Sequence, residues 1–570
     1  MALGIAQLVA GFVGPETFPV VAVGDVTVDL TPAPVKDFAI RTFGENDKSV
    51  LVGGVLVVLA VVAALIGVLA RRRLAYGYAG LAAFGVVGVL AVVTRPDAGA
   101  LDVIPTVVGV AVGAWALSWL LRRASVPGPA ASRAPASTVA APEEGVPDAA
   151  ADRSAGSEGG VEQRAARSGA GVEPSAAGMP GADGAEPERP AVVRAESEAG
   201  EPERPAVMRA GGEPLVFDRR RLLTGAAGGV VVAGATALLG RQFGAGRAVD
   251  AARVGVTLPK PATPAKALPA GADLRIRGLS PFVTPNKDFY RVDTALVVPQ
   301  VDPNDWTLRI HGLVDRPVEL TYADLLKMPL TEADVTLTCV SNEVGGPYVG
   351  NARWLGVRMA EVLRRAGLRS DADMLLSTSA DGFTCGTPVD VVMDGREALF
   401  AVAMNGEALP VDHGFPVRQV VPGLYGYVSA TKWVVDIKAT RFDTDEAYWT
   451  PRGWSAKGPI KTESRIDVPK SGDSLKPGGA TIAGVAWAQH VGVDAVEVRV
   501  DRGQWRQAKL AQVPGPDTWR QWSIDWDATP GKHTIEVRAT DASGRTQTDQ
   551  LAPPAPDGAT GWHTITVQVG

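Results

Sequence analysis

The chain is poor in the residues that build metal and disulfide frameworks. Its 570 residues include two cysteines and five histidines. Two cysteines exclude a disulfide scaffold, a four-cysteine zinc site and an iron–sulfur cluster held by four thiolates. Charge is sparse too, at 21% with a net of −6, which argues against a dedicated nucleic-acid binder. Aromatic residues make up 6%, and almost none lies between Ala124 and Phe217. The first histidine is His311, so the apolar N-terminal part carries no bis-histidine haem. Any metal chemistry uses at most two thiolates.

Apolar residues and breakers are abundant instead: 46% of the chain is hydrophobic, with 65 glycines and 43 prolines. Length allows three or four domains, and this much Gly and Pro predicts a disordered stretch as well. Apolar runs over Leu3–Val23, Val50–Ala70, Leu74–Thr94 and Leu101–Leu121 each approach the ~20 residues that cross a bilayer, giving four expected spans within residues 1–124. The first is interrupted by Pro15 and Glu16. It has a second reading as a signal peptide, against which Met1–Leu8 holds no basic residue. Arg71–Arg73 and Arg122–Arg123 are expected on the cytoplasmic side, which puts the Asp25–Lys48 loop outside. Residues 125–217 turn to Ala, Gly, Pro, Glu, Ser and Arg, with EPERPAV occurring twice, and read as a disordered cytoplasmic linker. Residues 218–241 open on Arg219–Arg220–Arg221 before a Gly/Ala-rich apolar run. That pattern is a fifth span or a twin-arginine export signal, and either one places the chain beyond Arg241 outside. A Pro/Ala linker occupies residues 242–270.

The remainder is globular. Met359–Ala366 has helical periodicity, and Val335–Thr338 alternates as a strand that delivers Cys339 to its end. From Pro459 the pattern is strand throughout: Ala495–Val500, His533–Ala539 and His563–Val569 alternate with period two between turn residues, the signature of an Ig-like sandwich. A cysteine like Cys339 is, taken alone, more often a small buried hydrophobe. Its companions change that reading. Arg291 lies in DFYRVD, His413 and Arg418 in DHGFPVR, and Ser429 and Lys432 in VPGLYGYVSATKW. Three cations and a histidine beside Gly-rich backbone suit a phosphate or a polar heterocycle, and a nearby thiolate adds a single metal ligand.

The motifs FYRVDT, TLTCVSN, ARWLGVRMAEVL, AMNGEALPVDHGFPVR and VPGLYGYVSATKW are similar to those of the molybdenum–pterin domain of the sulfite oxidase family. GVAWAQ, RVDRGQW, RATDASG and WHTITV resemble that family's C-terminal dimerisation domain. The resemblance covers about 300 residues in register. It implies an α+β molybdopterin domain over 271–455, followed by the Ig-like domain over 459–570 and a homodimer. It implies molybdenum-molybdopterin as cofactor, with Cys339 as the metal's thiolate ligand and the pterin dithiolene supplying two further sulfurs. Arg291, Asp381, His413, Arg418 and Lys432 fall where the family holds the pterin and its phosphate, while Phe289, Tyr290 and Ser429 supply backbone or packing contacts.

Three departures bear on substrate. Trp454, in AYWTPRGW, stands where the family has a tyrosine beside the metal; no arginine appears in AWAQHVGVD; and Val292–Asp293 replaces the Asn–His after the first arginine. The expected reaction is oxygen-atom transfer on a small sulfur oxyanion such as sulfite, with Arg291 facing substrate and Trp454 walling the pocket. A sulfoxide or nitrate reductase is the alternative within enzymes, and a cofactor-free binding module the alternative outside them. No haem or flavin motif occurs in the chain, so a separate cytochrome or quinone partner is expected to exchange electrons, with the membrane spans as anchor. A Cys339–Cys385 disulfide would consume the metal ligand, and a buried free thiol at Cys385 is the preferred reading.

Overall fold

The computed structural model describes residues 1–32, 47–95, 98–127, 215–217, 227–236 and 246–570, with residues 35, 38, 42 and 224 besides. Residues 128–214 of the expected linker, and Arg219–Arg221 of the expected export signal, lie outside the described residues. Ser125–Phe217 forms a unit of its own, in which β1 (Ser125–Pro127) and β2 (Leu215–Phe217) pair antiparallel.

Three N-terminal helices are long and apolar enough to cross a membrane: Asp47–Arg72, Leu74–Val93 and Ile104–Ala124. The run Leu3–Val23, expected as one span, differs. It is split between helices Ala2–Val13 and Pro19–Leu30, separated by the short turn Pro15–Thr17. Pro15 lacks the N–H that would continue the first helix. Twelve residues rise about 18 Å, well short of the ~30 Å hydrocarbon core. The first helix nonetheless lies close against Ile104–Ala124, where a Cβ on Gly109 would stand 2.9 Å from the Ala6 Cβ. Of the expected fifth span, the described part is an apolar helix over Ala227–Thr236.

The next part carries β3 (Thr307–Gly312), β4 (Val318–Thr321), β5 (Thr331–Thr338), β6 (Val349–Arg358), β7 (Met374–Ser379), β8 (Thr384–Pro388), β9 (Leu399–Met404), β10 (Glu407–Ala408), β11 (Arg418–Val420) and β12 (Val434–Thr440). One sheet runs β10-β9-β6-β5, with β11 also paired to β9; the other runs β4-β3-β12-β7-β8. Strand β9 is buried at every position, because both of its faces are covered. Phe400 and Val402 join Leu308, Ile310 and Ile437 from the second sheet in one core, while Leu399 and Ala401 join Val335, Leu337, Trp354, Phe289 and Phe415 in another. The helix Met359–Ala366 occurs where periodicity places it, ended by Gly367 at φ 71°.

The C-terminal region is β-rich. It comprises β13 (Glu463–Val468), β14 (Ser474–Leu475), β15 (Gly478–Trp487), β16 (Val493–Val500), β17 (Arg506–Gln507), β18 (Lys509–Leu510), β19 (Arg520–Ala528), β20 (Gly531–Asp541) and β21 (His563–Val569). Sheets β13-β15-β19-β18 and β14-β21-β20-β16-β17 share a core containing Ile482, Trp522, Val496, Val537 and Val567. A further cluster of Phe282, Val349, Trp487 and Trp519 joins this region to the preceding one. There the Thr336 hydroxyl accepts from the Trp519 N–H at 2.7 Å, and Gln489 donates to Thr338 Oγ1 at 3.0 Å. The C-terminal region thus supports strand β5 directly.

Candidate active site

Cys339 follows β5 and is half-buried. Its amide donates to Tyr348 O at 3.0 Å, and its Sγ accepts from the Ser341 N–H at 3.4 Å. Asn342 closes the loop by accepting from the Tyr348 N–H at 2.8 Å. Burial pushes the thiol upward, opposed by Ser341 and the Lys432 charge. Cys385 is a separate, buried free thiol.

Arg418 opens β11 and is 5% exposed. Its guanidinium donates to three carbonyls, His413 O at 3.2 Å, Gln419 O at 3.3 Å and Ala430 O at 3.4 Å, and lies 5.0 Å from the Trp354 ring centroid. Among the described residues its hydrogen-bond partners are all carbonyls. A buried cation without a carboxylate is costly, and burial brings its pKa down to about 10. Lys432 donates to Asp293 Oδ2 at 2.7 Å and Asp412 O at 3.2 Å. Burial takes its ammonium down to about 8 against the pull of Asp293. His413 bonds Asn286 O through Nε2 at 3.1 Å and sets its ring edge-on to Phe289. Burial lowers it to about 4, with Asp412 opposing and Arg418 and Lys432 adding. The ring is therefore neutral near pH 7 and, bonded to a carbonyl, carries its proton on Nε2. Gly414 permits the convergence: at φ 107° a Cβ would stand 2.9 Å from the Arg418 Cβ and 3.1 Å from the Lys432 Cβ.

Phe289 and Tyr290 stack at 5.2 Å, and Tyr290 tilts against Tyr348. Burial raises the Tyr290 phenol far above its ordinary value, with Cys339 adding and Arg418 opposing. Tyr290 is therefore in electrostatic reach of both. Arg291 donates through Nε to Asp293 Oδ2 at 2.8 Å. Asp293 is 4% exposed and also receives Lys432 and Lys48. Burial works to raise this carboxyl, but Lys432, Lys48 and Arg291 together hold it well below the carboxylate range.

The structure thus gathers Arg291, Phe289, Tyr290, His413, Arg418 and Lys432, and Cys339 is linked to them electrostatically through Tyr290 and Lys432. The other three stand a step away. Asp381 accepts from Thr294 Oγ1 at 3.3 Å and so joins through the neighbour of Asp293. The Ser429 hydroxyl donates to Leu424 O and Tyr425 O, bracing its own loop. Trp454 packs on Tyr427 and Trp449, each at 6.0 Å. Sequence reasoning misses Asp293, Lys48 and the Trp354 platform as site residues. Asp293 shows in the chain only as a departure from a motif; the signal that would find it is a lone acid amid the cations that fold around it.

Among the described residues no three His, Cys, Asp or Glu side chains gather to hold a metal. Residues 295–449 match the family described as oxidoreductase molybdopterin binding domain. Mitochondrial sulfite oxidase of Mus musculus is 31% identical over 342 residues, which cover 50% of this chain and 62% of that protein. The uncharacterized oxidoreductase YuiH of Bacillus subtilis (strain 168) is 33% identical over 157 residues, 28% of this chain and 76% of its own length. NADH nitrate reductase 1 of Arabidopsis thaliana is 29% identical over 336 residues, 47% of this chain and 36% of its own. The chain thus spans less than two thirds of the mitochondrial sulfite oxidases it matches. These matches place a molybdopterin-binding oxidoreductase domain at residues 295–449. The chain belongs to the sulfite oxidase family of these enzymes. The buried, carbonyl-bound Arg418 beside Lys432 fits the phosphate of such a cofactor, and the thiol of Cys339 fits its metal.

Proposed function

We propose that this is a membrane-anchored oxidoreductase whose catalytic domain works on the extracytoplasmic side, transferring an oxygen atom on a small sulfur oxyanion such as sulfite. The observation that carries the proposal is the half-buried Cys339 thiol under the charge of Lys432, which shares the Asp293 carboxylate with Arg291 in the cluster that also holds the buried Arg418. A bound molybdenum–pterin supplies a metal centre able to exchange an oxygen atom and two electrons. The residues around it hold and orient. Arg418, Lys432 and His413 bind the phosphate and polar edge, and Cys339 ligates the metal. Phe289 and Tyr290 exclude water, with Tyr290 keeping its proton. Arg291 meets the anion, Trp454 walls the approach, and Asp381 and Ser429 brace their loops.

The three long apolar helices support the anchor, and the cytoplasmic placement of Arg71–Arg73 supports the side. The Arg219–Arg221 run before the apolar helix Ala227–Thr236 is read as a twin-arginine signal. The two sheets of the C-terminal region support an Ig-like domain that pairs in a homodimer, and a cytochrome or quinone takes up the electrons. The similarity to a nitrate reductase favours one second reading, a reductase of nitrate or sulfoxide type.

The test is a dye-coupled screen of the purified full-length protein alongside molybdenum and pterin analysis. Sulfite oxidation with a dye acceptor is expected. Nitrate or sulfoxide reduction with a dye donor, and none of sulfite, would replace the first reading by the second. Cys339→Ser is expected to bring turnover below detection while circular dichroism and melting stay unchanged; an active variant refutes the ligand assignment.

A further inference from the structure

One of the cations at the candidate site comes from the membrane region. Lys48 lies two residues before Val50, where the first long apolar span begins, and its ammonium donates to Asp293 Oδ1 and to Ala295 O, both at 2.5 Å. A second element closes on the same stretch. Gly24, in the helix Pro19–Leu30, faces Leu296 so closely that a Cβ would stand 2.6 Å from Leu296 Cδ1. Two N-terminal elements therefore dock on residues 293–296, just beyond Arg291.

The buried carboxylate of Asp293 divides its oxygens between sources. Oδ2 takes Lys432 at 2.7 Å and Arg291 Nε at 2.8 Å, while Oδ1 takes Lys48, with Arg291 Nη2 farther off at 3.4 Å. Without Lys48, Oδ1 turns wholly to Arg291, and the cluster loses one of the charges that leave it net positive toward an anion. The proposed side of the membrane agrees on the same positive-inside reading. Arg71–Arg73 end the Lys48 helix on the cytoplasmic face by the positive-inside rule, so Lys48 stands at the opposite face, where the catalytic domain is proposed to work.

We infer that Lys48 is a positioning residue of the catalytic pocket, neutralising Asp293 so that Arg291 and Lys432 keep their net attraction for an anionic substrate and fastening the pocket to the outer end of a membrane span. On this reading the N-terminal helices are part of the site and not a tether alone. The kinetic test rests on the oxyanion reading; the docking test does not.

A benzophenone amino acid in place of Leu296, irradiated in the full-length protein in membranes, is expected to cross-link to the peptide bearing Gly24; absence of that cross-link overturns the docking. Lys48→Met is expected to raise KM for sulfite about tenfold, with kcat within about twofold and molybdenum content unchanged. Lys48→Arg restores the KM. An unchanged KM in Lys48→Met overturns the positioning role. A protein that leaves sulfite untouched but still cross-links sinks the substrate reading and leaves the docking standing.

Discussion

Lys432 is the residue whose charge most depends on its surroundings. Burial outweighs the attraction of Asp293 and brings its pKa from 10.5 to about 8. The folded protein therefore binds fewer protons than the unfolded chain between about pH 8 and 10.5, and folding gains from this group as pH rises through that window. The proposed anion site changes in the other sense, losing a charge above about pH 8. Binding of inorganic phosphate to cofactor-free protein, measured by calorimetry, is accordingly expected to weaken from about pH 8 upward, and Lys432→Met to weaken binding and flatten the profile. A profile in Lys432→Met that still falls just above about pH 8, below the value of about 10 for Arg418, places the titrating group elsewhere. Arg418, at about 10, keeps its charge across the lower part of the window, so the two cations are separable by pH.

Strand β5 is the element on which the site depends, since Cys339 is its continuation. Its second half is buried at every position, yet it carries threonines, and each hydroxyl has a partner. Thr336 donates to Asn351 Oδ1 at 2.9 Å on the neighbouring strand β6 and accepts from the Trp519 N–H in the C-terminal region. Thr336→Val keeps the shape and leaves that buried N–H and the Asn351 oxygen without their partner. An unpaired buried group costs about 1–3 kcal/mol, so chemical denaturation of Thr336→Val is expected to show a loss of that order. A change under about 0.5 kcal/mol would mean that water replaces the hydroxyl. The strand's alternation is visible locally; its dependence on Trp519 and Gln489 is not, because those partners lie more than 150 residues away.

Across the whole of the globular part, His563 joins the last strand to the Cys339 loop. Its ring packs on Gly345, where a Cβ would lie 2.2 Å from Cδ2, and its Nδ1 accepts from the Ile466 N–H at 2.9 Å. Burial, with Arg465 adding and Asp467 opposing, takes its pKa from 6.5 to about 4. The unfolded chain binds more protons in that interval, so stability from the neutral ring is full above about pH 6.5 and is lost as pH falls toward 4. Thermal melts across this window are expected to show a decline that His563→Asn lessens. A decline of equal slope in the variant would assign it to other groups.

Short-range chemistry is legible in the chain before it folds. Hydropathy marks the helices Asp47–Arg72, Leu74–Val93 and Ile104–Ala124; a 3.6-residue period marks Met359–Ala366; alternation marks the strand that leads to Cys339 and those that carry His533 and His563. Motif likeness carries the family, and with it Cys339, His413, Arg418 and Lys432. Which charges meet is set only by the folded molecule. Asp293 pairs with Lys432 across 139 residues and with Lys48 across 245, and no local pattern reports such a pairing, because Coulomb attraction depends on separation in space and on burial, both products of the complete fold. The same is true of Gly414, an ordinary turn glycine in the chain and, once folded, the gap that lets Arg418 and Lys432 stand together.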